Sequence, residues 1–191
     1  VYPFQADYRE VADTVTDGRY DRADVAEARR ILQEAGAEGV TVRIGYETRN
    51  PRRADILEII RDSCARAGFT VEDNSDSGYY KSGGKLETGD FDVALFAWAG
   101  SPLVTGNLDL YHSVTPGQPT QNKGHYSNAQ VDAWLTELES TTDPARQRQL
   151  LTDIDRQMWQ DLATVPLFAH PGIVTHRSQV EGVVFQPSLS G

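Results

Sequence analysis

The first half of the chain alternates between helical and extended hydrophobic patterns. Asp21 is the predicted N-cap of a helix that runs to about Ala35, and Gly36 follows it where a left-handed C-cap is favoured. Residues 40–46 alternate as a strand, residues 51–67 repeat apolar side chains at helical spacing, and residues 69–71 begin another strand. A strand, a helix and a strand within about thirty residues predict a βαβ unit with parallel strands.

The segment GDFDVALFAWAGSP, residues 89–102, contains the most apolar run of the chain. Its middle, residues 91–98, is too short for a typical helix. A continuous apolar run between turn residues is typical of a central strand that is covered on both faces. The preceding residues 74–90 are rich in Gly, Ser and Asp and predict a loop, with a helical turn around Tyr79.

The remainder of the chain is predicted to be loop followed by helices. Residues 1–20 show no period and predict a loop-like lead-in, and residues 99–126 predict a long irregular segment. Ser127 is the predicted N-cap of a helix, with Gln130 completing a capping box. A last helix follows Asp143 and reaches about Asp161. Its predicted inward-facing residues are Leu150, Leu151, Ile154, Met158 and Leu162. Short strands are predicted over residues 165–168, 173–174 and 180–185.

Composition and charge exclude several classes of protein. The 191 residues carry a net charge of −10, which argues against a nucleic-acid surface built from clustered Lys and Arg. No apolar run approaches the roughly 20 residues of a membrane span. Cys64 is the single cysteine, so an internal disulfide is excluded, and its place on a helical apolar stripe predicts a buried structural thiol.

The sequence holds no arrangement of residues that is typical of catalysis or of a metal or cofactor site. It lacks the G-x-S-x-G and H-E-x-x-H motifs, and Gly83-Gly84-Lys85 lacks phosphate-loop spacing. Asp90 is interpreted as a turn residue and Asp92 as a strand-edge residue. We therefore predict no catalytic residues, no cofactor and no metal.

Two alternatives to a binding protein remain open from the residues alone. The first is a small standalone hydrolase with a site in residues 99–126, in which His112 or His125 would act as a base. The second is a protein-interaction module, which would present a large exposed apolar patch.

A ligand surface is predicted where the apolar strand ends. Ligands of parallel α/β sheets lie beyond the carboxyl ends of the strands, and this strand ends at Trp98. Trp98 offers a flat face for stacking, and Gly100 allows close approach to the main chain. Local physics equally favours a Trp98 that only closes the core.

Three ordered motifs resemble a known family. They are GDFDVALFAWAGSP, NKGHYSNAQVDAWL and TTDPARQRQLLTDIDRQMWQDLATVPLF, preceded by DRADVAEARRILQEAGAEGVTVRIGYE. Together they resemble the C-terminal part of the family 5 extracellular solute-binding proteins, the peptide- and nickel-type receptors of ABC importers. The resemblance implies an α/β fold: one lobe of a bilobed type II periplasmic-binding-protein-like structure, with a mixed, mainly parallel sheet flanked by helices.

The resemblance also implies domain organisation and function. Residues 1–20 would lead in from the side of a missing N-terminal lobe, residues 21–185 would form the ligand-binding lobe, and residues 186–191 would return toward the missing lobe. The protein would capture a small solute such as a peptide by closure of two lobes and deliver it to an ABC permease. It would lie outside the cytoplasm, tethered through an upstream lipid anchor.

The site implied by the resemblance follows Trp98 with Ala99, Gly100 and Ser101. Ser101 stands where peptide receptors of the family place an Asp for the ligand's amino group, and Leu95 stands where some place an Arg for a carboxylate. A hydroxyl cannot neutralise an ammonium group. We therefore expect a neutral or hydroxylated solute, or a peptide held mainly by main-chain contacts and by the other lobe.

Three further residues match family positions near the ligand. Tyr79 matches a position where an aromatic side chain often faces the ligand, and its alternative role is to cover the sheet. Asn122 and Tyr126 match the Asn and Tyr that precede the Ser-capped helix. Their alternative role is to fix the long loop by bonds from side chain to backbone.

Overall fold

The computed structural model describes residues 8–16, 18–98, 105–106, 108–118, 120–170 and 173–184. The chain divides into two compact units. We call Tyr20–Ala97 the sheet unit, and we call Val1–Arg19 together with Trp98–Gly191 the helical unit.

The sheet unit is a three-stranded parallel sheet with helices. The strand order is β2-β1-β3, and β1 pairs in parallel with both neighbours. This confirms the predicted α/β class and the parallel βαβ unit. The elements are α2 Val25–Glu34, β1 Thr41–Gly45, α3 Pro51–Ala67, β2 Thr70–Asp73, α4 Lys85–Thr88 and β3 Val93–Ala94.

The core of the sheet unit lies between the sheet and α3. Ile44 and Val71 from the strands pack with Leu57 of α3, which is 1% exposed. Cys64 lies half-buried on the same stripe of α3, and burial raises the pKa of its thiol. The predicted apolar stripe of this helix is therefore confirmed.

The helix ends of the sheet unit follow the predicted chemistry with one correction. Asp24, not Asp21, caps α2, because the Asp24 carboxylate accepts a hydrogen bond of 2.9 Å from the Glu27 amide. Gly36 takes φ +62°, as predicted. α3 begins at Pro51 and ends before Gly68, whose φ of +104° only glycine adopts without strain.

The predicted central strand over residues 91–98 is wrong in position and length. The observed β3 is Val93–Ala94, and it pairs with β1 alone among the described strands, so β1 is central. Val93 and Phe96 are 42% and 41% exposed, so this strand is not covered on both faces. Hydrophobicity alone does not tell a central strand from an edge strand, since sheet order depends on non-local pairing.

The loop before β3 is ordered by polar contacts. Lys85 Nζ donates to the Asn74 carbonyl oxygen at 2.9 Å, and Asn74 Nδ2 donates to the Asp90 carbonyl oxygen. Arg43 pairs with both Asp90 and Asp92, at 2.6 and 3.2 Å. A turn does form around Tyr79: residues 77–80 are a turn, and the Lys81 amide donates to the Gly78 carbonyl oxygen at 3.0 Å. The helix of this loop, α4, follows at Lys85–Thr88.

The helical unit packs three helices together. α1 and α5 both pack against α6. The lead-in prediction is wrong for residues 8–15, because Val11 and Val15 are buried four residues apart on one face of α1. The described elements are α1 Tyr8–Val15, a 3-10 turn Leu108–Leu110, α5 Ala129–Ser140 and α6 Pro144–Asp161.

Of the two predicted N-caps in this unit, the structure confirms one and corrects the other. Asp143 caps α6 as predicted, with its carboxylate accepting from the Ala145 amide at 3.1 Å. Asn128, not Ser127, caps α5, and its side chain accepts from the Gln130 and Val131 amides.

The segment after α6 does not form the strands that hydrophobicity predicts. Residues 162–170 and 173–184 are exposed and contain no strand, and the predicted Phe185 lies outside the described residues. Leu162, predicted to face inward, is 49% exposed with φ +50°. A strand needs a partner along its edge, and these residues find none in the described part of the chain.

Candidate functional site

The carboxyl ends of β1 and β3 meet at one edge of the sheet unit. The Leu95 amide donates to the Gly45 carbonyl oxygen at 2.9 Å, and a bridge between Glu47 and Asp76 continues the pairing of β1 with β2. The first turn of α3 follows directly after β1. Side chains of α3 and of the loop before β3 therefore converge at the edge where parallel sheets bind ligands.

Tyr80 joins the elements at this edge. Its hydroxyl donates to the Leu95 carbonyl oxygen and accepts a 2.6 Å hydrogen bond from Arg53 Nη1. The Arg53 guanidinium carbon also lies 5.1 Å from the centre of the Tyr80 ring, a cation–π contact. The Phe96 ring stands edge-on to Tyr80 at 5.1 Å and is 41% exposed, so the edge presents an aromatic and a cationic surface.

Burial perturbs the Tyr80 hydroxyl. Burial raises the pKa of Tyr80, and the nearby Arg53 charge opposes the shift. The hydroxyl therefore stays protonated at neutral pH and keeps its donor role toward Leu95.

Tyr79, a predicted ligand residue, lies in the interior. Its side chain is 0% exposed, and burial raises the pKa of its hydroxyl. Its ring occupies the space beside Gly45, where an added Cβ would lie 2.3 Å from Tyr79 Cε2. In the described residues Tyr79 therefore covers the sheet, and its hydroxyl has no hydrogen-bond partner there.

Trp98 is the one member of the predicted Trp98–Ser101 site that the structure describes. It is 39% exposed, so it does not close the core of the described residues. Ala99, Gly100 and Ser101 lie outside the described residues. Their assignment to a ligand site, and that of Trp98, remains a prediction.

Asn122 and Tyr126 hold the loop before α5. Asn122 is 3% exposed, and its Nδ2 donates to the carbonyl oxygens of His112 and Tyr126 at 2.9 and 2.8 Å. The Tyr126 amide donates to Asn122 Oδ1 at 3.1 Å. The Tyr126 hydroxyl donates to Asp161 Oδ2 at 2.6 Å, at the end of α6. Both side chains therefore make contacts that fix the loop, as the alternative interpretation expected. Their role in ligand binding stays a prediction.

The described part of the loop over 99–126 gives the hydrolase alternative no support. His112 Nδ1 lies 3.4 Å from Asp132 Oδ1, which could orient the ring. The neighbouring Ser113 hydroxyl donates to Ser127 Oγ at 3.0 Å, and no described serine hydroxyl bonds to the ring of His112. A base without a positioned nucleophile does not make a nucleophilic site.

The described residues form neither a metal-binding cluster nor a helix that could span a membrane. Among the residues that are described, no group of three or more His, Cys, Asp or Glu side chains could hold a metal ion. The described helices include none with the length and apolar character needed to cross a bilayer.

Sequence reasoning did not single out Arg53, Tyr80 or Phe96. Tyr79 and Tyr80 are adjacent, and only the fold shows which of the two points to the sheet edge and which to the interior. Arg53 offered one usable signal, since it lies in the first helical turn after a strand, where ligands of α/β sheets bind.

Several known proteins are similar to this chain in sequence. An uncharacterized lipoprotein of Mycobacterium tuberculosis is 32% identical over 187 residues, covering 94% of this chain and 32% of that protein. The oligopeptide-binding protein OppA of Mycobacterium bovis is 26% identical over 133 residues, covering 70% of this chain and 22% of OppA. No family model matches the chain.

Solved structures share the fold. Haemophilus influenzae OppA in complex with the peptide RPPGFSPFR aligns with a TM-score of 0.67 and 19% identity, covering 83% of this chain and 33% of that chain. Helicobacter pylori DppA in complex with the peptide STSA aligns with a TM-score of 0.60 and 25% identity, covering 75% and 28%. The resemblance to the family 5 extracellular solute-binding proteins is confirmed.

The fold is that of the type II periplasmic binding proteins. The chain spans 32% of the length of the M. tuberculosis lipoprotein and 22% of the length of OppA. The family 5 structures that resemble this chain are substrate-binding proteins and not enzymes.

Proposed function

We propose that this chain is the ligand-binding lobe of a solute receptor that serves an ABC importer. The observation that carries the proposal is the shared fold with receptors solved in complex with peptides. The receptor captures a small solute such as a peptide between two lobes, of which this chain supplies the C-terminal one. Closure of the lobes then presents the solute to a membrane permease.

The proposed site combines the sheet edge with the segment that follows it. Trp98 supplies an exposed aromatic face, and Ala99, Gly100 and Ser101 supply main-chain and hydroxyl groups. Tyr79 of the sheet unit and Asn122 and Tyr126 of the helical unit are the further candidates for ligand contact, and each also has structural contacts within its own unit. Such a site selects its solute by shape and by a few polar contacts, and it catalyses no reaction.

We place the receptor outside the cytoplasm, held at the membrane by a lipid anchor in upstream sequence. The support is that M. tuberculosis and Mycobacterium leprae relatives are described as lipoproteins.

Titration calorimetry tests the proposal on the protein expressed from its complete reading frame. A mixed tripeptide library is expected to bind, and Trp98→Ala is expected to weaken binding by about 10-fold, since stacked aromatic contacts contribute about 1 kcal/mol or more. Trp159→Ala, which removes a helical-unit side chain packed against the hydrophobic core, is the control for general damage. Binding that is unaffected by Trp98→Ala would refute the assigned site, and no binding of any peptide would refute the peptide class.

A further inference from the structure

We propose that Arg53 binds a carboxylate group of the solute. This inference rests on the proposed function and names a chemical requirement of the same site. Leu95 and Ser101 leave the expected anchor positions uncharged, and Arg53 supplies a charge at the same edge of the sheet.

The guanidinium of Arg53 is fixed before any ligand arrives. Its Nη1 donates to the Tyr80 hydroxyl at 2.6 Å, its carbon lies 5.1 Å from the Tyr80 ring centre, and Tyr80 is itself anchored to the Leu95 carbonyl. A long side chain that is already held loses less conformational entropy on binding a ligand.

Arg53 keeps most of its hydrogen-bonding capacity unused. A guanidinium has five N–H donors, and the described residues accept from one position of Arg53, Nη1. Neighbouring arginines differ: Arg49 pairs with Glu47 at 3.2 Å, and Arg43 pairs with Asp90 and Asp92. In a chain with a net charge of −10, no carboxylate of the described residues forms an ion pair with Arg53.

The surroundings of Arg53 favour an anion that also carries an apolar part. Arg53 lies in the first turn of α3, where the helix dipole adds positive potential, and the Asn50 side chain makes no capping bond there. Phe96 offers an exposed ring beside Tyr80. The planar fork of a guanidinium matches a carboxylate in bidentate geometry, so the geometry points to a carboxylate with an adjoining apolar group.

The test compares a tripeptide library with free carboxyl termini and the same library amidated at the carboxyl terminus, titrated into the protein from its complete reading frame. The wild type is expected to favour the free acids by at least about 10-fold, the usual scale of a charge-assisted hydrogen bond. Arg53→Gln is expected to abolish that preference. The control Arg52→Gln, an exposed neighbour in the same helical turn, is expected to preserve it.

The outcomes separate this inference from the proposed function. Equal binding of both libraries by the wild type, or an unchanged preference in Arg53→Gln, would overturn the role of Arg53 and leave the receptor function standing. Failure of both libraries to bind would overturn both. Arg53→Lys guards against a folding defect in Arg53→Gln: it keeps the charge, and we expect it to retain a reduced preference. A full preference in Arg53→Lys and Arg53→Gln alike would place the carboxylate elsewhere.

Discussion

At the scale of single residues, Tyr79 and Tyr80 show how neighbouring identical side chains take different roles. Tyr79 fills the space beside Gly45, whereas Tyr80 connects α3 to the end of β3 through hydrogen bonds. The two hydroxyl groups therefore make opposite contributions to stability. An unpaired buried hydroxyl costs free energy, and a paired one does not.

Replacing these hydroxyls one at a time tests that difference. We expect Tyr79→Phe to raise the free energy of unfolding by about 1 kcal/mol, because it removes a buried polar atom without a partner. We expect Tyr80→Phe, the matched control, to lower it by about 1–2 kcal/mol. Urea denaturation measures both. A loss of stability in Tyr79→Phe would show that its hydroxyl has a partner after all.

At the scale of elements, helix caps decide where local sequence and structure agree. Asp21 and Asp24 both precede the apolar positions of α2, and the sequence pattern predicted Asp21 as the cap. The structure assigns the cap to Asp24, whose carboxylate reaches the Glu27 amide. We expect Asp24→Ala to lower the free energy of unfolding by about 1 kcal/mol and Asp21→Ala to change it by less than about 0.5 kcal/mol. If thermal or urea unfolding showed a larger loss of stability for Asp21→Ala than for Asp24→Ala, Asp21 would be the cap.

The junction between the loop before α5 and the end of α6 should respond to pH. The Tyr126 hydroxyl donates to Asp161, and this bond lowers the pKa of Asp161 below its usual value. A carboxyl group with a lowered pKa in the folded state stabilises the protein above its unfolded pKa, near 3.8, and that stabilisation is lost as the pH falls through the folded pKa.

The variant Tyr126→Phe isolates this contribution. At pH 6 we expect it to be less stable than the wild type by about 1 kcal/mol. As the pH falls below 3.8 and through the lowered pKa of Asp161, the difference should shrink, because Asp161 becomes protonated in both proteins. Tyr8→Phe in the same unit is the control, since the Tyr8 hydroxyl makes no hydrogen bond within the described residues. A difference that is independent of pH would mean that Tyr126 acts through packing and not through the Asp161 charge.

The elements that the sequence predicted well are those with local determinants. α3 and α6 each begin at a proline behind a capping position and carry a regular apolar stripe, so their bounds match the prediction. α1 was not predicted because its apolar face consists of only two buried valines. The helix packs against α6, a contact that the local sequence does not show. The edge position of β3 depends on strand pairing that no short segment encodes.

The candidate site was predictable only in part for the same reason. The hydrophobic run over residues 91–98 predicted a strand in this part of the chain, but it placed the end of the strand at Trp98, whereas β3 ends at Ala94. The contact of Arg53 with Tyr80 joins residues 27 positions apart in sequence. In the described structure Arg53 has no acidic partner. This depends on which residues the fold brings close to Arg53, so it could not be predicted from the sequence.

At the scale of the whole molecule, the central claim is that this chain is one lobe of a two-lobed receptor. The most direct test titrates the same tripeptide library into two samples, the protein from its complete reading frame and the 191-residue chain alone. We predict binding by the complete protein and no measurable heat with the chain alone, because the proposed site takes groups from both lobes. Equal affinity in the two samples would mean that the site is complete within these residues, and it would contradict the two-lobed account.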